Sequence, residues 1–431
     1  MTTYARRLGL FSGTMAVVGG IIGGGIFRTP ATVAERLRSP GLVLLAWVIG
    51  GVVALIGAFC WGELGQRRPR AGGGYVYLRE TFGPLPAFLY GWTLVLVIAT
   101  GAIAAVAVTF ADYTLALVGL PHTFSVPLAV AAIVFLAGIN YVGVRPAAIT
   151  QNIFTILKLV ALAMLIGAGI LLTMPTASYR PLPPSTAGVG ALGAALVPVL
   201  FTYGGWQQTN FIAEEIVEPE RNLPRALVLG VAIVVAVYLL TNIAYLRVLG
   251  VDGLAASTAP AADTMRAVLG PAGGKIIAAG IAVSTFGFLN LVILVTPRVL
   301  QAMAADGVFF GRLAVLHPIY QTPTAAIVAL ALCAVALTLT GTFGQLVDYV
   351  TFGDWIFFGL TAAALFVYRK RDHRPVTGFR VPGYPGTVII FVLAAAYVVF
   401  SAIISNPRNA AIGAGLIGLG IPAFLYWRSQ P

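Results

Sequence analysis

Charge is what this sequence has least of. Only 9% of its 431 residues are Asp, Glu, Lys or Arg, against 59% hydrophobic, and the mean hydropathy is +0.94. So little charge excludes a soluble globular domain. Histidine is scarce too: His122, His317 and His373 all fall in loops, so no Ser/His or metal constellation for an enzyme lies within the apolar segments. The two cysteines, Cys60 and Cys333, occupy separate apolar stretches, which argues against a disulfide framework or a zinc site. Acidic residues are outnumbered, 14 to 26, giving a net charge of +12. The basic excess sits between apolar segments, so it reads as membrane topology and not as a nucleic-acid surface. No ring-forming filter motif of a channel appears.

What is present is a series of long apolar segments. Hydropathy and breaker residues place about twelve spans, at roughly 10–35, 41–65, 84–118, 126–143, 147–173, 189–215, 223–249, 272–304, 324–341, 345–368, 386–404 and 408–427. The first is too long for a cleaved signal and lacks a small-residue cleavage site, so it belongs to the mature structure. The expected class is an all-α polytopic membrane protein. An even number of spans puts both termini on one side. Arg6, Arg7, Arg67, Arg68, Arg70, Arg79, Arg369, Lys370 and Arg371 share that side, and the positive-inside rule makes it cytoplasmic. The expected location is the cytoplasmic (inner) membrane.

The organising stretch is Gly19-Gly20-Ile21-Ile22-Gly23-Gly24-Gly25-Ile26-Phe27. Each glycine costs a helix interior about 1 kcal/mol relative to alanine. An unwound turn at membrane depth persists only where it lines a cavity or is buried in protein. The Gly-xxx-Gly spacings, Gly19 with Gly23 and Gly20 with Gly24, also suit close helix packing. The theme returns in the sixth span, where Phe201-Thr202-Tyr203-Gly204-Gly205-Trp206 sets a glycine pair among polar residues. Two interrupted spans, each opening a block of five, point to a substrate site between inverted repeats. The blocks run 10–173 and 189–370, with 386–427 as two accessory spans.

Lys158 falls near the middle of the fifth span, about 16 Å deep at 1.5 Å per residue, and is expected to face the bundle interior with a partner. Glu214 and Glu215 close the sixth span, where capping and pairing with Arg221 or Arg225 is the expected role. Arg67 to Glu80 holds three consecutive glycines but no P-loop lysine, and reads as a flexible turn. The eighth span carries Ser284, Thr285, Asn290, Pro297 and Arg298.

With these segments in place, the chain resembles the amino acid–polyamine–organocation transporter superfamily. It is similar to prokaryotic permeases near the L-amino-acid and cationic amino acid transporter branches. The resemblance spans nearly the whole chain and rests on residues 19–27, Pro69 to Tyr77, Phe201 to Trp206, Glu214-Glu215, Asn222 to Arg225, Asn290, Pro297-Arg298 and Ala304 to Gly307. It implies a five-plus-five inverted repeat with alternating access and a free amino acid as substrate. The substrate carboxylate is expected on backbone N–H groups of Ile22, Gly23, Gly24 and Gly25. The ammonium is expected on carbonyls of Phe201, Thr202, Tyr203 and Gly204, and on those freed near Gly19 and Gly20. Phe201 and Trp206 look like gates or pocket walls, and Arg28 stands just outside the break.

Lys158 matches a fifth-span lysine of sodium-independent members, where the ammonium replaces sodium between the first and eighth spans. By that likeness it reaches Gly19 or Gly20 and Ser284. Ser284 and Thr285 retain the hydroxyl pair of sodium-coupled relatives. Gly24 departs from the pattern, since relatives commonly carry serine there. No intramembrane carboxylate is evident in the pocket to pair a cationic side chain, as Asp112 lies near the outer end of its span and Asp354 is not placed. The expected function is therefore transport of neutral L-amino acids by proton symport or exchange, with a cationic amino acid or polyamine carrier as the alternative. A proton is the expected coupling ion rather than sodium. No cofactor, no metal and no obligatory protein partner is expected.

Overall fold

The computed structural model describes residues 3–172, 189–341, 343–371 and 378–429, with side chains at 189 and 343–352 excepted. The Pro/Ser/Thr-rich loop 174–188 and His373 lie outside the described residues. Among the described residues every regular element is a helix. In lipid a spanning segment must satisfy its backbone internally, and a helix does so without a neighbour.

The first membrane segment is interrupted: α1 (Leu10–Ile21) stops, a 3-10 turn covers Gly25–Phe27, and α2 (Thr29–Leu37) resumes. After α3 (Pro40–Arg67) comes a short helix, α4 (Gly74–Phe82). The third segment consists of α5 (Pro84–Thr93), a π-helical stretch Leu94–Ala99 and α6 (Thr100–Val118). The fourth and fifth are α7 (Ser125–Val142) and α8 (Val144–Leu171). The sixth is interrupted like the first, with α9 (Val189–Thr202) giving way to a 3-10 run over Trp206–Glu215. There follow α10 (Pro219–Ala256), bent at Gly250, and α11 (Pro260–Ala305), bent at Gly270. The remaining helices are α12 (Thr324–Thr340), α13 (Phe343–Arg371), α14 (Gly386–Ser405), α15 (Pro407–Gly418) and α16 (Gly420–Arg428).

Eight of these helical stretches are long and apolar enough to cross a membrane. The two interrupted segments, α12 and α13 complete the twelve that hydropathy places. Proline in the first turn starts α2, α3, α5, α10, α11 and α15, where its missing N–H costs nothing. The interrupted segments run through the centre. α1 lies along α8 and α10, while α11 lies along α6 and α8.

The first and last described residues share one end of the bundle, called here the terminal face. Tyr4 Oη donates to Gln301 Oε1 at 3.3 Å, and the Phe309 and Trp427 rings lie 4.9 Å apart. At this face the stretch expected to be a flexible turn is packed structure. Gly72 N donates to Phe211 O at 3.0 Å, and a β-carbon on Gly73 (φ +46°) meets Asn210 at 2.9 Å. Tyr75 Oη donates to Asp306 Oδ2 at 2.8 Å, and Arg79 forms an ion pair with Asp306. Burial pushes the Tyr75 hydroxyl up to about 12, which keeps it a neutral donor.

Candidate functional site

The end of α1 places a set of freed carbonyls at membrane depth, and nearly all of them find donors. Val18 O accepts from Ile22 N at 2.9 Å, and Ile21 O accepts from Gly23 N at 2.9 Å. Gly19 O and Ile22 O accept from Lys158 Nζ at 3.2 and 2.7 Å, and the ammonium is fully buried. Ser284 Oγ lies 3.3 Å from Ile22 O and 3.4 Å from Gly23 O. Tyr238 Oη stands 3.0 Å from Ile21 O and 3.4 Å from Thr202 O, so one hydroxyl joins the ends of α1 and α9. Buried backbone groups need such partners, and side chains of α8, α10 and α11 supply them. Lys158 is held in register by a buried network. Asn290 Nδ2 donates to Gln151 Oε1 at 3.1 Å and Asn140 Nδ2 to Asn290 Oδ1 at 3.1 Å, tying α7, α8 and α11 together.

The five glycines divide into two kinds. Gly19 and Gly20 are packing positions: a β-carbon on Gly19 meets Gln151 and Thr155, and one on Gly20 meets Leu291 at 2.8 Å and Gly205 O at 2.9 Å. Gly23 and Gly24 face space instead. A β-carbon on Gly23 makes only ordinary contact with Phe288 at 3.6 Å, and one on Gly24 meets nothing within 4 Å. Gly25 is tight against Thr202 at 2.8 Å. The N–H groups of Gly24 and Gly25 have no backbone acceptor among the described residues.

The two interruptions touch. Gly205 (φ +112°) lies so close to Gly20 that a β-carbon added to it would overlap the Gly20 carbonyl oxygen. This contact is on the wall of a cavity of about 530 Å³, lined by Gly20, Gly23, Gly24 and Gly25 from the first segment and by Phe201, Thr202, Gly204 and Gly205 from the sixth. Small-molecule sites commonly measure about 300–1,000 Å³. The π-helical stretch contributes Leu94, Ile98 and Ala99, α11 contributes Thr285 and Phe288, and α13 contributes Asp354 and Trp355.

Several expected residues lie elsewhere. Ile22 is fully buried behind the break and contributes its carbonyl to Lys158. Tyr203 is buried with its hydroxyl donating to Trp47 O at 3.2 Å. Trp206 does not line the cavity; it packs edge-on against Trp61 with ring centroids 4.9 Å apart, beside Phe358 and Phe391. The 3-10 turn after Gly205 rotates it away. Thr285 does line the cavity, but its Oγ1 lies 2.8 Å from Ile281 O in its own helix and donates there. Of the carbonyls expected around Lys158, it reaches Gly19 O and not Gly20 O, and it adds Ile22 O. The π stretch and Asp354 were not among the expected site residues. Leu94–Ala99 contains no breaker, so nothing in that stretch marks it. The signal for Asp354 is a carboxylate inside a span.

The cavity extends away from the terminal face, along Thr109 and Tyr113 of α6 to Thr258 and Ala259. Towards the terminal face it is sealed. Arg298 donates to Glu215 Oε1 at 2.7 Å and Oε2 at 3.2 Å, with both side chains fully buried. This corrects the expected pairing of Glu215 with Arg221 or Arg225: the 3-10 run turns Glu215 inward towards α11, while Arg221 pairs with Glu218 at the surface, 3.7 Å away. Arg7 N and Leu8 N both donate to Glu215 O at 2.9 Å, and Val217 N to Leu8 O at 2.8 Å, so the N-terminal segment is stitched across the seal. Arg298→Met leaves the Glu215 carboxylate buried and unpaired, and is expected to cost about 3–5 kcal/mol, read as a fall in melting temperature. An unchanged melting temperature contradicts the pairing.

The amino acid permease family model matches residues 8–426, nearly the whole of this bundle. The chain belongs to the amino acid permease family. As a permease it carries amino acids across a membrane and is not an enzyme. The permease is 35% identical to the human b(0,+)-type amino acid transporter 1, over 94% of this chain and 84% of that protein. It is 33% identical to the human Asc-type amino acid transporter 1, over 99% of this chain and 83% of the relative. It is also 33% identical to the mouse large neutral amino acids transporter small subunit 2, over 99% and 82%.

Proposed function

We propose that a free amino acid binds where the two interrupted segments meet. Its carboxylate sits on the N–H groups of Gly24 and Gly25, at the start of the turn leading into α2. Its ammonium sits at Gly20 O, the freed carbonyl that has no donor among the described residues. The observation that carries this reading is the backbone contact between Gly20 and Gly205 on a cavity wall at membrane depth, because free backbone there is tolerated only where something is bound or packed. Gly23 and Gly24 leave the carboxylate room, and Phe201 and Phe288 form apolar walls.

In this reading blocks 10–173 and 189–370 are inverted repeats that rock about the site. The arginines gathered at the terminal face support a cytoplasmic placement by the positive-inside rule, and in this reading the cavity opens to the outside with the Arg298–Glu215 seal shut. Lys158 is a cation in the place where other carriers bind sodium, which favours proton symport or exchange over sodium coupling. Neutral L-amino acids are the proposed substrates, in keeping with a relative named for large neutral amino acids.

Uptake of radiolabelled alanine into proteoliposomes tests this. Accumulation driven by an imposed proton gradient alone establishes symport; uptake only against internal amino acid establishes exchange. Failure of a wide amino acid panel in both arms refutes the reading.

One observation favours a second reading, a carrier of cationic amino acids or polyamines. Asp354 lines the cavity, and its side chain forms no hydrogen bond or ion pair among the described residues. An unpaired carboxylate at that depth attracts a cation. Competition of alanine uptake by arginine decides between the two. If cationic side chains are carried, Asp354→Asn weakens arginine competition by about tenfold or more, the worth of one charge-assisted contact, and leaves alanine uptake in place. Equal competition in both proteins removes the second reading.

A further inference from the structure

Two neighbouring glutamines follow the interruption of the sixth segment, and only the first is committed. Gln207 Oε1 accepts from Gly205 N at 2.9 Å and so holds the interruption in shape. Gln208 lines the cavity, and its Oε1 is buried with no hydrogen-bond partner among the described residues. A second free polar group lies on α11. Thr296 is 2% exposed and lines the cavity, and its hydroxyl has no partner among the described residues. Thr93, Thr100, Thr241 and Thr338, buried as deeply, each donate to the carbonyl four residues earlier. Both free groups lie on the inner side of the break. Gln208 follows Gly205 by three residues on the run towards Glu215, about 6 Å at the 3-10 rise of about 2.0 Å per residue. Thr296 follows Phe288, whose ring stands 3.6 Å from a β-carbon on Gly23, by eight residues and precedes Arg298 by two. That is about 12 Å along α11. The cavity therefore has an inner lobe between the break and the Arg298–Glu215 seal, with polar groups at two depths and Phe211 and Val292 as apolar walls.

We propose that this inner lobe reads the substrate's side chain. Gln208, with Thr296 as the deeper group, makes the permease prefer a neutral side chain ending in a carboxamide over an aliphatic one of the same shape. The inference rests on the proposed seat of the amino acid at the break. From that seat a side chain of glutamine's length ends level with Gln208. Water satisfies such groups while the cavity holds no substrate, and a substrate that displaces it must replace its hydrogen bonds or lose affinity. A carboxamide carries both donors and an acceptor, so it pairs with the Gln208 amide in either orientation. An aliphatic end leaves that amide and the Thr296 hydroxyl unpaired, and a site with polar groups to satisfy discriminates against it.

Thermal melting of the purified full chain in neutral detergent tests this, with glutamine and homoleucine as probes. The two share a skeleton and differ only in ending in a carboxamide or in a pair of methyl groups. Alanine is the reference, because it carries the carboxylate and ammonium on a side chain too short to reach the inner lobe. A saturable rise in melting temperature is expected with all three, half-saturating at about tenfold lower concentration for glutamine than for homoleucine. Gln208→Met, which keeps the length and loses the amide, reduces that preference to about threefold or less. Gln208→Met/Thr296→Val abolishes it. The preference is a ratio taken within each protein, so a general change in stability or affinity does not move it. Equal half-saturation in wild type, or a preference that survives the double substitution, overturns the inference, while a rise with alanine leaves the seat at the break standing. No rise with any of the three refutes the seat and the inference with it.

Discussion

Gly205→Ala abolishes transport while the protein still reaches the membrane. Two independent costs fall on this one methyl group. Gly205 has φ +112°, which L-residues rarely adopt, and holding alanine there costs about 1–3 kcal/mol. The added carbon also overlaps the Gly20 carbonyl oxygen, backbone against backbone, with no flexible side chain to give way. The interruptions of the first and sixth segments must separate, and the proposed ammonium site at Gly20 separates with them. The expected result is uptake at background level with a melting temperature several degrees lower. Gly138→Ala in α7 serves as control, because a methyl group there meets nothing within 4 Å. Wild-type uptake by Gly205→Ala contradicts the contact.

Lys158→Met is the second large effect. Methionine matches the lysine stem in length. It removes the side-chain donor to Gly19 O and one of two side-chain donors to Ile22 O. Hydrogen bonds to a charged group are each worth about 1.5–3 kcal/mol, and the carbonyls left behind are buried. The end of α1 is then free to rearrange. Uptake is expected to fall by about a hundredfold or more, roughly 2.7 kcal/mol, with folding retained. Under the symport reading the residual uptake also loses its dependence on external pH. Undiminished, pH-dependent uptake in Lys158→Met places the proton elsewhere and makes the ammonium dispensable.

Much of this architecture is legible in the sequence, for a definite physical reason. Lipid forces helices, so hydropathy sets their number and bounds, and glycine runs inside a span mark where the backbone is released. That is why residues 19–25 and 203–205 stand out among otherwise continuous apolar stretches. What the sequence hides is rotation. After a break, nothing in the local pattern fixes which way the next turn faces, so Trp206 points into an aromatic cluster and Glu215 points to Arg298. The division of the glycines is hidden for the same reason. Gly19 and Gly20 are set by what α8 and the sixth segment bring against them, while Gly23 and Gly24 are set by the open space of the cavity. The π-helical Leu94–Ala99 is hidden too, because the stretch holds no glycine or proline to mark it.

The central claim is that the glycine break of the first segment is where the transported amino acid sits. The most direct measurement is counterflow of radiolabelled alanine in proteoliposomes made with wild type and with Gly23→Leu. The substituted side chain has room at its β-carbon, 3.6 Å from Phe288, and projects into the cavity. The account predicts saturable counterflow in wild type and its loss in Gly23→Leu, with an unchanged melting profile. Counterflow of equal rate and affinity in both proteins places the substrate elsewhere.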